Sequence, residues 1–71
     1  SSRFLFMQVA EERLPAEVVA NIRESAQEGL KNGAAQGFLE AFHLAAEAIL
    51  DEDDFKTLTE EAKQRADAPV E

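Results

Sequence analysis

Residues 15–50 read PAEVVANIRESAQEGLKNGAAQGFLEAFHLAAEAIL, and this stretch decides the fold. Within it Val18, Val19, Ile22, Ala26, Gly29 and Leu30 recur at helical spacing, while Glu17, Arg23, Glu24, Gln27 and Lys31 fill the other side. Steps of three and four place side chains on one face of an α-helix, so the pattern predicts an amphipathic helix over residues 15–31. Pro15 marks its start: Leu14 before it is pushed out of the α region, and proline at the first helical position gives up only an N–H that has no partner there. Glu17 and Lys31 carry the charges that complement the two ends of the helix dipole. Asn32-Gly33 ends the helix, because both residues accept the left-handed conformation of a C-terminal cap.

From Ala34 to Leu50 apolar residues cover most of the circumference, with Phe38, Phe42, Ala45 and Ile49 on one stripe and Leu39, Ala46 and Leu50 beside it. This predicts the central helix of the domain, exposed only along the polar line Glu40, His43, Glu47 and Asp51. The short connection makes the two helices antiparallel neighbours, as in an αα-hairpin. Ala26, Gly29, Gly37, Ala41, Ala45 and Ala48 suggest a close approach of the helix axes, with the hairpin holding most of the stability.

Working outward, Asp51-Glu52-Asp53-Asp54 suits the start of a further helix better than the end of the previous one. Asp53 or Asp54 is the expected N-cap of a helix through Phe55, Leu58, Ala62, Arg65 and Ala66. Thr57-Leu58-Thr59-Glu60 offers a second, capping-box start. On the N-terminal side, Phe4 to Val9 suits a short strand or the first turns of a helix continuing through Arg13. No second strand-like run is present to pair with a strand, so helix is the default. The expected fold is all-α: a small bundle of three to four helices built on the hairpin, with dimerisation as one way to complete it. A single domain over residues 1–66 and a frayed tail over 67–71 are expected.

Composition bounds the chemistry. The 71 residues hold 15 Asp plus Glu against 7 Lys plus Arg, a net charge of −8, with one His and no Cys. Thirteen of the apolar residues are Ala, so the core is thin, and a chain this short gains from self-association or a partner. Absence of Cys removes disulfide frameworks, zinc fingers and thiol nucleophiles, and fits a cytoplasmic setting. The apolar run Phe4 to Met7 is too short to span a membrane. Residues 40–61 carry eight acids and one base, a local charge of −7. Such a surface repels phosphate backbones and anionic lipids, which points away from nucleic acid and membranes and toward a protein partner with a basic or apolar surface.

Glu40-Ala41-Phe42-His43, with Glu47 one turn on, has the Glu-x-x-His spacing of di-iron bundles, and a homodimer would supply two copies. The same three residues also read as the solvated strip of a buried helix, and they are only weak metal candidates. A histidine between two carboxylates is a candidate for a raised pKa. Asp51, Asp53 and Asp54 begin like an EF-hand loop, but Phe55, Lys56 and Ala62 fall where a ligand, a glycine and the bidentate Glu belong. With carboxylates as its main acid–base groups and no phosphate-binding loop, the chain is not expected to be an enzyme or to hold a cofactor. Phe4, Leu5, Phe6 and Met7 exceed what a thin hairpin needs for one contact face. They are candidate anchors of a partner or homodimer seam, with Asp51, Glu52, Asp53 and Asp54 as the acidic docking face.

Residues 31–54, a glycine-containing turn, a helix with Phe42 and Ala45 at packing positions and an acidic break, resemble the second half of a tetratricopeptide repeat. The Trp, Leu-Gly and Tyr pattern of that repeat's first helix is missing and there is one copy. If residues 4–9 form a strand, the order of elements resembles ribbon-helix-helix regulators, which implies a dimeric transcriptional regulator or antitoxin. The leading expectation is a small acidic, non-enzymatic, regulatory interaction module: an adaptor, co-chaperone or antagonist.

Overall fold

The computed structural model describes residues 2–68, which form four helices: α1 (Ser2–Arg13), α2 (Ala16–Lys31), α3 (Phe38–Ile49) and α4 (Glu52–Asp67). No strand occurs among the described residues. The all-α expectation holds, and Phe4 to Val9 belong to a helix. α2 packs mainly on α3 and α1 mainly on α4, and α1 bridges the two pairs by also lying against α3. The result is elongated, 40 × 23 × 19 Å.

Local chemistry explains the boundaries. α1 stops before Pro15, which has no N–H to extend the ladder. Pro15 is the N-cap of α2 rather than its first helical residue: with ψ at 147° it is extended, and its carbonyl accepts the N–H groups of Val18 and Val19. At the other end Gly33 takes φ +81°. Ala34 N–H then bonds the Gly29 carbonyl at 2.9 Å and Gly33 N–H the Leu30 carbonyl at 3.4 Å, the paired closure of a Schellman motif. The Asn32 side chain adds a bond from Ala34 N–H at 3.0 Å.

α3 starts at Phe38, four residues later than the apolar pattern suggests, because the Schellman closure spends residues 33–35 on the turn and Gly37 is extended. The Glu40 carboxylate reaches back to Gln36 N–H at 2.9 Å and fixes this start. α4 is capped by Asp51, not by Asp53 or Asp54: the Asp51 carboxylate accepts Asp54 N–H at 2.8 Å. Glu52, Asp53 and Asp54 fill the first turn, where the helix dipole favours negative charge. α4 runs one residue into the expected tail, to Asp67, with Ala68 as its extended C-cap, and residues 69–71 lie outside the described residues.

The core draws on all four helices: Phe6, Val9 and Ala10, then Ile22 and Ala26, then Ala41, Phe42, Ala45 and Ala46, then Leu58 and Ala62, with Ala35 from the loop. Phe6, Phe42, Ile22 and Val9 are its largest fully buried side chains. Two expectations about packing change. Ile49 is 44% exposed at the last turn of α3, where the chain turns extended and Leu50 packs on the core instead. Gly29 and Gly37 do not bring helix axes together, since a Cβ at either would meet nothing within 4 Å.

Candidate functional site

Three helices each send one ring to a common point. Phe6 from α1, His43 from α3 and Phe55 from α4 stand with centroids 4.9 Å (Phe6–His43), 5.4 Å (Phe6–Phe55) and 5.3 Å (His43–Phe55) apart. Phe6 also meets Phe42 at 6.4 Å and 70°, an edge-to-face geometry that the ring quadrupoles favour. Periodicity places His43 on the polar line of α3, but Phe6 of α1 and Phe55 of α4 stand against its ring, and His43 is half-buried. Its Nδ1 is buried without a hydrogen-bond partner.

The environment of His43 reverses the expected direction of its titration. Burial holds its pKa below the ordinary 6.5, Arg3 acts the same way, and Glu47 opposes them. Glu40 is committed instead to the start of α3. Glu47 is exposed, and among the described residues no group of three His, Asp or Glu could hold a metal ion. The Glu40, His43 and Glu47 candidates are thus divided among a helix start, an aromatic cluster and the solvent.

The four N-terminal anchors also divide. Phe6 is 2% exposed and belongs to the core, so it cannot anchor a partner on a folded chain. Leu5 and Met7 are half-buried against that core, and Phe4 is 49% exposed. Phe6 is used within its own chain, which removes the physical motive for a seam through it. Asp51, Glu52, Asp53 and Asp54 are all exposed. Arg3 and Phe6 line a cleft with Ala62, Lys63 and Ala66 of α4, and the Phe6 ring also stands 5.4 Å from Phe55, next to Asp54.

A second charged feature joins α1 to α4. Arg65 makes a two-pronged contact with Glu12, at 2.7 and 3.0 Å, and a further bond to Glu61 at 2.9 Å. Arg13 reaches the same Glu61 at 3.1 Å, and Arg23 of α2 pairs with Glu11 of α1. These partners hold the carboxyls of Glu12 and Glu61 below their ordinary value, mainly through the hydrogen bonds from Arg65 and Arg13 respectively. Sequence spacing could suggest only the Glu61–Arg65 pair, four residues apart on one helix.

No helix among the described residues is long and apolar enough to cross a membrane. The fold and its surfaces define a small acidic four-helix α domain. In comparisons with known proteins, no protein family, no curated protein and no solved structure matches this chain.

Proposed function

We propose that the chain is a small acidic, non-enzymatic protein–protein interaction module, an adaptor, co-chaperone or antagonist whose partner presents a basic surface. The observation that supports this reading is the first turn of α4. Asp51, Glu52, Asp53 and Asp54 are consecutive, exposed and in no ion pair among the described residues. Ile49 stands beside them with 44% of its surface exposed. An apolar contact next to unneutralised carboxylates suits an amphipathic basic segment: the charges steer encounter and the apolar side chain gains from leaving water. Cytoplasmic residence is part of the same proposal, since no Cys is present for an oxidising compartment to pair.

A helical lysine–leucine peptide is a suitable probe. Isotope-labelled protein titrated with it is expected to shift the amides of residues 49–54, with affinity falling as salt rises from about 50 to about 300 mM. Asp53→Asn with Asp54→Asn is expected to weaken binding, leaving the Asp51 cap intact. Binding indifferent to both salt and these substitutions would refute the reading. A ribbon-helix-helix regulator needs a paired strand where α1 is found, so no observation favours that alternative.

A further inference from the structure

Arg3, Lys56 and Lys63 are the cationic side chains that join no ion pair among the described residues. On a chain of net charge −8, unneutralised cations are scarce, yet Arg3 and Lys63 meet the one histidine at the same place. They line a cleft of about 390 Å³ between α1, α3 and α4, within the size range of small-molecule sites. The exposed Ala66 and the edges of the nearly buried Phe6 and Ala62 give this cleft an apolar floor. A concave apolar wall with cations at its edge matches a ligand that has a hydrocarbon body and a negative end. Asp67 also lines the cleft and would repel a second negative charge, so a monoanion fits better than a dianion.

We propose that this cleft binds a small amphipathic monocarboxylate, an aliphatic or aromatic acid, with its body over Ala66 and the floor edge that Phe6 and Ala62 form, and its carboxylate between Arg3 and Lys63. The site is separate from the acidic turn of α4 and stands or falls independently of it. His43 supplies an internal reporter. The groups facing its side of the cleft are Arg3 from α1, Glu47 from α3, and Lys63 and Asp67 from α4. A bound carboxylate neutralises the charge of Arg3, one of the influences that disfavour protonation of the ring. Occupancy therefore raises the pH at which His43 titrates.

The experiment is a titration of isotope-labelled protein with octanoate, with octan-1-ol as the uncharged analogue and octylamine as the cationic one. Saturable shifts are expected at Phe6, His43, Ala62 and Ala66, and octanoate should bind about tenfold tighter than octanol, as a charge-assisted contact implies. Arg3→Gln with Lys63→Gln should abolish that preference. Both side chains are exposed, and circular dichroism together with the Phe6 ring resonances verifies that the variant keeps its fold. Saturating octanoate should also move the His43 titration midpoint upward. The proposal is overturned if octanoate gives no saturation by about 10 mM, a weak limit for a ligand of this size. It is equally overturned if octanol or octylamine binds as well as octanoate, or if the double variant keeps the preference.

Discussion

The Phe6 ring of α1 stands at 66° to the His43 ring of α3 with centroids 4.9 Å apart, and this contact ties the N-terminal helix to the α2–α3 hairpin. Around it the domain closes without a large aliphatic core. Phe6 touches rings from α3 and α4, and α1 makes most of the contact between the two halves of the molecule.

Loss of the Phe6 ring should therefore be felt by the whole domain. Phe6→Ala is expected to cost about 3–5 kcal/mol, the range for emptying a buried aromatic site. That is comparable to the total stability of a domain this small. Urea denaturation followed by circular dichroism should show the cooperative transition lost or moved close to zero denaturant, with Phe6→Leu intermediate. Phe6→Glu should unfold the chain rather than yield a folded monomer, since a carboxylate would be placed in an unpaired apolar site. A Phe6→Ala variant within about 1 kcal/mol of the parent would contradict the role assigned to the ring.

Two glycines of the hairpin turn should respond with opposite sign. Gly33 sits at φ +81°, where a Cβ is strained, so Gly33→Ala should destabilise by about 1–2 kcal/mol. Gly29 is inside α2 with open space where its Cβ would be, so Gly29→Ala should stabilise by about 0.5–1 kcal/mol. Measuring both by thermal and chemical unfolding separates backbone effects from packing. Two changes of the same sign would be incompatible with the turn geometry.

The hairpin was the most legible part of the sequence because α2 has one apolar face and its ends carry recognisable chemistry, Pro15 before it and Asn32-Gly33 after it. The last helix was legible through Phe55, Leu58 and Ala62, although its cap was displaced to Asp51. What periodicity could not supply is which apolar residue meets which. Four large residues in succession at 4–7 looked like surplus, but α1 and α4 form a second pair whose junction with α3 absorbs Phe6. The same packing covers His43, which a single-helix projection leaves in water. Long-range ion pairs such as Glu12 with Arg65 are invisible for the same reason: they join residues 53 apart.

Acid should destabilise the domain in two separate stages. His43 has a folded pKa below its unfolded 6.5, so the unfolded chain takes up the proton first. The stability this contributes is complete above pH 6.5 and is lost as pH falls through the lowered folded value. Glu12 and Glu61 are likewise lowered, from 4.5, so their contribution is present above that value and lost on further acidification. Unfolding free energy measured from neutral to acid pH should therefore fall first through the histidine and again through the carboxylates. His43→Phe should remove the first stage and leave the second. A stability that rises between pH 7 and pH 5.5 would refute the sign of the histidine effect.

The last prediction concerns the Arg65 contact that clamps α1 onto α4. Arg65 reaches Glu12 through two nitrogens and Glu61 through one, and its side chain is 30% exposed, whereas that of Arg13 is 61% exposed. Contacts that match both oxygens of a carboxylate are stronger and better oriented than the convergence of Arg13 Nε and Nη2 on one Glu61 oxygen at 3.3 and 3.1 Å, so Arg65→Gln should destabilise more than Arg13→Gln. All the groups remain in contact with solvent, so salt should screen them. At about 1 M salt the screening length shrinks to about 3 Å, and the difference between the two variants should diminish sharply. A double-mutant cycle of Glu12→Gln with Arg65→Gln isolates the pair from packing of the arginine stem against α1. Coupling that is favourable at low salt and fades at high salt is the expected result. A loss of stability equal at both salt concentrations would assign the role of Arg65 to its hydrocarbon stem instead.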